Sequence, residues 1–142
     1  MMRSLLAACL LVPLPAWANG LLVSDSMVPM APPGVMAHAA FLTLENTGMD
    51  PVSVVGVSSE GYRMAHIHRT EEVGGVATMT SIDVLEIAPG QTVTFAHGGL
   101  HVMLMHPKAP VSMGDSVPIT FNLSDGTTLS FEAPVKHMAH ES

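Results

Sequence analysis

The chain has 142 residues and a formal net charge of −7, and its single cysteine, Cys9, lies in an apolar N-terminal segment. The acidic excess argues against nucleic acid and anionic lipid as partners. If Cys9 is removed with that segment, disulfides, thiolate metal sites and a cysteine nucleophile are excluded as well. Methionine and histidine, with 12 and 8 residues, are the residue types left to explain.

The N-terminal segment "MMRSLLAACLLVPLPAWA" has one Arg, an apolar run and Ala-Trp-Ala at 16–18. This pattern predicts a signal peptide over residues 1–18, cleaved after Ala18. An alternative is the lipoprotein-like box ending at Cys9, although cleavage there would leave "LLVPLPAWA" on the product. The mature chain would keep four basic and twelve acidic residues, hence a charge of −8, together with ten methionines and all eight histidines. No later stretch reaches the ~20 apolar residues of a membrane span.

Turn residues recur every 8 to 12 positions after the signal, for example in "APPG" at 31–34 and "SDG" at 124–126. Short runs rich in β-branched residues lie between them, and no segment has a helical period. This spacing predicts an all-β sandwich or Greek-key barrel. We expect one domain over residues 19–135, followed by a flexible tail over 136–142 that contains His137, Met138 and His140. The runs are "AAFLTLE", "PVSVVGV", "QTVTFA", "SVPITFNL" and "TTLSFEAPV".

Residues 100–107, "LHVMLMHP", alternate between two kinds of side chain. Leu100, Val102 and Leu104 would share the core face of a strand. His101 and Met103, with Met105, would then share the other face, outward or in a cleft. Core packing, the ordinary role of methionine, is a weaker explanation there.

Residues 63–70, "RMAHIHRT", repeat the arrangement, with Met64, His66 and His68 opposite an aliphatic face. Gly74-Gly75 follows, and two glycines suit a two-residue hairpin turn. That turn would set Thr70 across from Met79, which makes Met79 a diagonal neighbour of His68 at ~7–8 Å. A longer loop would break this register.

Two thioethers and two imidazoles that converge on one point would form a site for Cu(I). Thioether sulfur is a soft, neutral ligand that hard ions ignore, and imidazole binds copper in either oxidation state. Such a site also suits an oxidising compartment, where a thiolate ligand would be lost to oxidation.

His68, Met79, His101 and Met103 are spaced as H-x10-M-x21-H-x-M. This spacing resembles the signature of the PCuAC family of periplasmic copper chaperones, as do "PPG" at 32–34, "AAFLTLEN" at 39–46 and "HVMLM" at 101–105. The resemblance implies a cupredoxin-like β-sandwich and a non-enzymatic periplasmic protein that holds Cu(I) with these four residues. It also implies copper-donor or copper-acceptor proteins as partners, with delivery to cytochrome c oxidase subunit II or an assembly factor of its CuA centre.

The chain departs from the family pattern at Met27 and Pro29, where members usually have Trp and Arg, and at Arg69, where an acidic residue is frequent. Other methionines and histidines have simpler interpretations. Met64 and His66 are neighbours of the ligands or occasional Cu(II) ligands, and Met105 packs beside the site or coordinates the ion directly. Met27, Met30, Met36 and His38 are assigned to core or surface packing, or alternatively flank the metal. The tail is assigned to a disordered end or a second metal-capturing arm, and His97 and His106 to turns without a role.

Two other functions remain open. "HIH" at 66–68 resembles the His-x-His pair of copper/zinc superoxide dismutases, although the zinc loop and cysteine pair of that family have no counterpart here. The second alternative is an extracytoplasmic interaction module that uses the Met/His face to bind protein without metal.

Overall fold

The computed structural model describes residues 17, 18 and 20–138, and every regular element among them is a β-strand. The all-β prediction is therefore confirmed for this part of the chain. The predicted signal peptide, apart from Trp17 and Ala18, lies outside the described residues, as does the tail from residue 139. In the described part, no helix has the length and apolar character that a bilayer span requires.

The strands are β1 (Trp17–Ala18), β2 (Leu21–Pro29), β3 (Ala37–Asn46), β4 (Val52–Ser58), β5 (Tyr62–Val73), β6 (Val76–Ser81), β7 (Leu85–Ile87), β8 (Thr92–Phe95), β9 (Leu100–Pro107), β10 (Ser116–Leu123) and β11 (Thr128–Lys136). Each run read from the sequence as a strand overlaps one of them and extends at most one residue beyond it at either end. β9 continues through His106, where we expected a turn, and His106 has a φ of 57°.

Hydrogen bonds connect the strands in the order β6-β5-β9-β3-β2-β11-β10-β4-β7, while β1 pairs with β2 and β8 with β3. β4 also packs against β5, although the two are far apart on this path, so the sheet curls into two facing layers. This is the sandwich arrangement predicted from the turn spacing.

A bulge in β2 connects the layers. The pairing register of β2 with β3 shifts between Ser24 and Met27, where Asp25 has a φ of 53°. Beyond the bulge, Val28 and Pro29 pair in parallel with β11. Because a bulge bends its strand, β2 can leave one layer and join the other.

Alternate residues of both layers fill the space between them. Phe95 and Phe121 meet there with ring centroids 6.1 Å apart, among fully buried residues such as Leu42 and Leu104. Each large apolar side chain buried in this way contributes about 1.5–3 kcal/mol. This core fixes β9 and the first half of β5, because Val102, Leu104 and Ile67 are part of it.

The β5–β6 hairpin extends away from the core. All six residues of β6 are exposed, and β6 pairs only with β5 among the described strands. Val73 lies opposite Val76 and Thr70 opposite Met79, which confirms the predicted two-residue turn at Gly74-Gly75. Both glycines have positive φ, 61° and 81°. We call residues 69–81 the hairpin arm.

Candidate metal centre

The predicted site residues lie on one face of the β6-β5-β9-β3 layer. In the antiparallel pairing of β5 with β9, His68 lies directly opposite His101, and His66 directly opposite Met103. Directly opposed residues point to the same side of a sheet, with Cβ atoms ~4.5–5.5 Å apart. The aliphatic neighbours Ile67 and Val102 form their own pair on the core side. The predicted division of both strands into two faces is thus confirmed.

The two histidine rings meet edge to face, with centroids 5.9 Å apart. His101 is only 5% exposed, so of the two predicted positions the outward one is wrong for this residue, which the fold buries on the Met/His face. Two buried side-chain nitrogen or oxygen atoms within residues 20–138 have no hydrogen-bond partner, and they are Nδ1 of His68 and Nε2 of His101.

Other buried polar side chains of the described chain are satisfied, which makes this pair unusual. The side-chain amide of Asn46 donates to the backbone carbonyls of Asp50 and Ile87. Nδ1 of His38 lies 2.6 Å from the Tyr62 hydroxyl. Because an unpaired buried polar atom costs about 1–3 kcal/mol, two such atoms in contacting rings point to a ligand that accepts their lone pairs.

The backbone fixes the tautomer of His101. Its Nδ1 lies 3.2 Å from the carbonyl oxygen of Gly99, which can only accept, so Nδ1 carries the proton and donates. Nε2 is then left with a free lone pair, the form that binds a metal ion. The same carbonyl accepts the N–H of Thr70 from β5 at 3.1 Å, which ties the two strands together beside the site. The sequence suggested only a turn at "HGG", and this orienting role of Gly99 was missed.

The environment of His68 also favours a neutral ring. Burial is the main cause that lowers its pKa from 6.5, and the proximity of His101 and His66 lowers it further. A proton must leave an imidazole nitrogen before that nitrogen can bind metal. His68 therefore stays available as a ligand at a lower pH than a solvated histidine.

The two thioethers flank His68 on opposite sides. Met103 is its diagonal neighbour on β9, two residues from His101, and is half-buried. Met79 is its diagonal neighbour on β6, through the Thr70–Met79 pair, and is 59% exposed. Diagonal neighbours lie ~7–8 Å apart, within reach of a long side chain. Three of the four predicted ligands thus lie on the core-anchored strands and one lies on the hairpin arm.

The same face continues beyond the four predicted ligands. Met64 lies directly opposite Met105, next to the His66–Met103 pair. The His66 ring stacks on the His68 ring with centroids 6.0 Å apart. Arg69, in contrast, alternates to the other side of β5 and is exposed. Its departure from the family pattern therefore does not put a positive charge on the ligand face.

The N-terminal methionines and His38 occupy a different place. Met30, Met36 and His38 line a cleft of about 620 Å³ at the far end of β9 from His101, between residues 28–36 and 107–112. Burial lowers the pKa of His38 and raises the pKa of its partner Tyr62 to about 12. His38 is buried in this position, whereas Met36 is 53% exposed. His97 lies in an exposed turn, and His137 and Met138 are exposed at the end of the described chain.

Within the described residues, no group of three or more His, Asp or Glu side chains is arranged to hold a metal ion. On their face, the histidine pair is adjoined by the thioethers of Met79 and Met103 and by the His66 ring.

Comparison with known proteins identifies related chains and folds. The family model "LpqE-like: Putative lipoprotein LpqE-like" matches residues 21–135. The "Putative lipoprotein Lxx21020" of Leifsonia xyli subsp. xyli is 37% identical over 120 residues, which cover 84% of this chain and 71% of the relative.

Several solved structures are similar to this chain in fold. The solution structure of apo-DR1885 from Deinococcus radiodurans is 32% identical, covers 97% of this chain and 93% of its own, and superposes with a TM-score of 0.65. The CuI-DR1885 structure is 37% identical, covers 78% and 74%, and has a TM-score of 0.63. The copper-bound PCuAC domain from PmoF2 is 18% identical, covers 88% and 100%, and has a TM-score of 0.70, which shows a shared fold.

Proposed function

Since the chain belongs to the LpqE-like family, which is the family of the PCuAC copper chaperone domains, we propose that it is a periplasmic carrier of Cu(I). In this proposal His68, Met79, His101 and Met103 hold the ion, and the protein performs no catalysis on it. The observation that carries the proposal is the contact of two imidazoles whose buried Nδ1 and Nε2 atoms have no partner, flanked by two thioethers.

The donor set suits a monovalent soft ion. The two imidazoles and two thioethers are neutral, so they do not offset the charge of a bound ion, which is smaller for Cu(I) than for a divalent ion. Thioether sulfur is also soft, and the site therefore favours Cu(I) over harder divalent ions. None of the four ligands is a thiol, which an oxidising compartment would convert to a disulfide, so the site suits an exported protein. Because Met79 is exposed, a partner's ligand can replace this thioether first, and copper can pass through mixed-ligand intermediates without release as a free ion.

The ligand set is tested on the mature protein loaded with one equivalent of Cu(I). X-ray absorption should count sulfur and nitrogen scatterers in equal number. A competition titration with a chromophoric Cu(I) chelator should show weaker binding for Met79→Leu and for Met103→Leu, changes that hardly alter side-chain volume.

Met49→Leu is the matched control for this titration, because Met49 is 91% exposed in the loop after β3 and should leave affinity unchanged. Unchanged Cu(I) affinity in both ligand variants would remove the proposal. A direct dismutation assay on the copper-loaded protein addresses the enzymatic alternative, and turnover near the diffusion ceiling would favour that alternative.

We propose cytochrome c oxidase subunit II, or a factor that assembles its CuA centre, as the acceptor. The test mixes the Cu(I)-loaded protein with the apo soluble domain of subunit II, separates the two and measures copper on each. Copper should move to subunit II on mixing, and much more slowly when a dialysis membrane separates the proteins. Copper that stays on the carrier in the mixture would exclude this acceptor.

We propose export with cleavage after Ala18. The lipoprotein descriptions of the family and of the Leifsonia relative keep lipidation at Cys9 as the alternative. Mass spectrometry of the exported protein separates the two, because cleavage after Ala18 leaves Asn19 as the first residue. A mass that corresponds to a lipid-modified Cys9 terminus would contradict cleavage after Ala18 and show a protein anchored to a membrane.

A further inference from the structure

We propose a second Cu(I) site, formed by Met64, His66 and Met105, on the same sheet face as the first. The inference rests on the proposed function, because it extends the Cu(I) chemistry of that face. Three consecutive cross-strand pairs of β5 and β9 consist entirely of histidine and methionine: His68–His101, His66–Met103 and Met64–Met105. The first site uses the first pair and half of the second pair.

Met64 and Met105 are positioned to bind one ion together. They lie directly opposite each other, with the close Cβ spacing of ~4.5–5.5 Å that such pairs have. His66 is two residues from Met64 and therefore on the same face. Two thioethers and one imidazole are a sufficient set of soft donors for Cu(I).

Core packing does not explain Met64 and His66. Met64 is 46% exposed and His66 is exposed, so neither fills a gap in the core. On the far side of β9, the residues opposite Met105 and Met103 are Ala37 and Ala39. These side chains are small, and Met103 and Met105 each remain partly exposed, so an ion can reach their thioethers.

The second site should bind more weakly than the first. It has three protein ligands in place of four, and its members are more exposed than His101, which is 5% exposed. An ion already bound at the first site also repels a second positive ion on the neighbouring cross-strand pairs of the same face. We expect an affinity about ten-fold or more below that of the first equivalent.

The experiment titrates Cu(I) into the mature protein with methionine methyl groups labelled with ¹³C. The methyl signals of Met79 and Met103 should move with the first equivalent, and those of Met64 and Met105 with the second. In the double variant Met64→Leu/Met105→Leu, the competition titration should show one equivalent in place of two, with the first affinity unchanged within about three-fold. The control Met49→Leu/Met113→Leu changes two exposed methionines in loops and should keep both equivalents.

Three outcomes overturn the proposal. A second equivalent that persists in the Met64→Leu/Met105→Leu variant would belong elsewhere, such as the tail with His137, Met138 and His140. A wild-type titration that ends at one tight equivalent would exclude the second site while leaving the proposed carrier function intact. A first equivalent that does not depend on Met79 or Met103 would refute the proposed function, and this inference would fail with it.

Discussion

The four proposed ligands belong to two regions of different character, the β5–β9 core strands and the hairpin arm. His101 is 5% exposed, and its strand neighbours Val102 and Leu104 are completely buried. Met79 is 59% exposed, on a strand with no buried residue. Few buried contacts and solvent-exposed backbone hydrogen bonds are properties of segments that open locally at low cost.

This difference indicates a division of labour in the proposed site. The core strands hold both imidazoles in position before metal arrives, because Gly99 orients His101 and the Ile67–Val102 pair anchors the strands. The hairpin arm supplies the fourth ligand and is the region that can move when copper enters or leaves. A carrier needs both properties, since retention requires a fixed site and release requires a ligand that detaches.

The largest expected loss of Cu(I) affinity comes from a change in the β5–β9 core strands. His101→Ala should lower Cu(I) affinity by more than about 100-fold, because the loss of a direct ligand should exceed the 10–100-fold typical of outer-shell partners. A chelator competition titration measures the loss, and circular dichroism checks folding. His38→Ala, which removes another buried histidine, is the matched control and should leave affinity unchanged. Equal losses in both variants would attribute the effect to damaged packing.

A smaller effect should follow in the hairpin arm. Met79→Leu should lower Cu(I) affinity by about 100-fold, the smallest loss expected for a direct ligand, because this thioether is exposed and the three ligands on the core strands stay in place. Its melting temperature without copper should stay within about 1 °C of wild type, since exposed side chains contribute little to stability. Met103→Leu, in the half-buried position, should affect both quantities. Identical behaviour of the two variants would abolish the proposed distinction between the regions.

The turn of the arm offers a third test that touches no ligand. Gly75 has a φ of 81°, and an added Cβ would meet nothing within 4 Å, so Gly75→Ala introduces backbone strain alone. A left-handed conformation costs a non-glycine residue about 1–2 kcal/mol, which would reduce copper affinity by about 5–30-fold if the arm must be formed. Hydrogen exchange should quicken over residues 69–81 and stay unchanged in β9. Unaltered affinity would show that the arm binds copper without its native turn.

The smallest effect concerns pH. Burial and the neighbouring histidines lower the pKa of His68 below 6.5, so protons compete with copper for it only below that pH. Cu(I) affinity should be constant from pH 8 to about 6.5 and should decline as the pH falls further towards the lowered pKa of His68. Titrations across this range measure the profile. A decline in affinity that begins above pH 6.5 would contradict the lowered pKa of His68.

The same shift affects the stability of the copper-free protein. The unfolded chain takes up a proton at His68 near pH 6.5, while the folded protein resists protonation until a lower pH. The stabilising contribution is therefore complete above pH 6.5 and is lost as pH falls towards the lowered pKa. The pKa of His38 is also lowered by burial and acts in the same direction. Thermal unfolding between pH 5 and 8 should show the decline.

Local sequence rules predicted much of this fold. Alternation along 100–107 identified the core face of β9, because side chains of a strand must point to opposite sides. Gly74-Gly75 fixed the register of the arm, because a two-residue turn leaves one way to pair the flanking strands. The resemblance in ligand spacing named the family to which the chain belongs. These features depend on residues near one another in the chain or on a motif kept at fixed intervals.

Long-range contacts required the tertiary structure. The sequence left open whether His101 faces outward or into a cleft, and the fold buries it against His68, because burial depends on which strands become neighbours. β9 follows β5 nearly thirty residues later in the chain. Their pairing sets Met64 opposite Met105 and so brings three consecutive histidine and methionine pairs together on one face. The role of the Gly99 carbonyl in orienting His101 was likewise not predicted, because the sequence indicates only a turn at Gly99. The amino-acid sequence determined which faces carry ligands, and only the packing of distant strands decided which ligands meet.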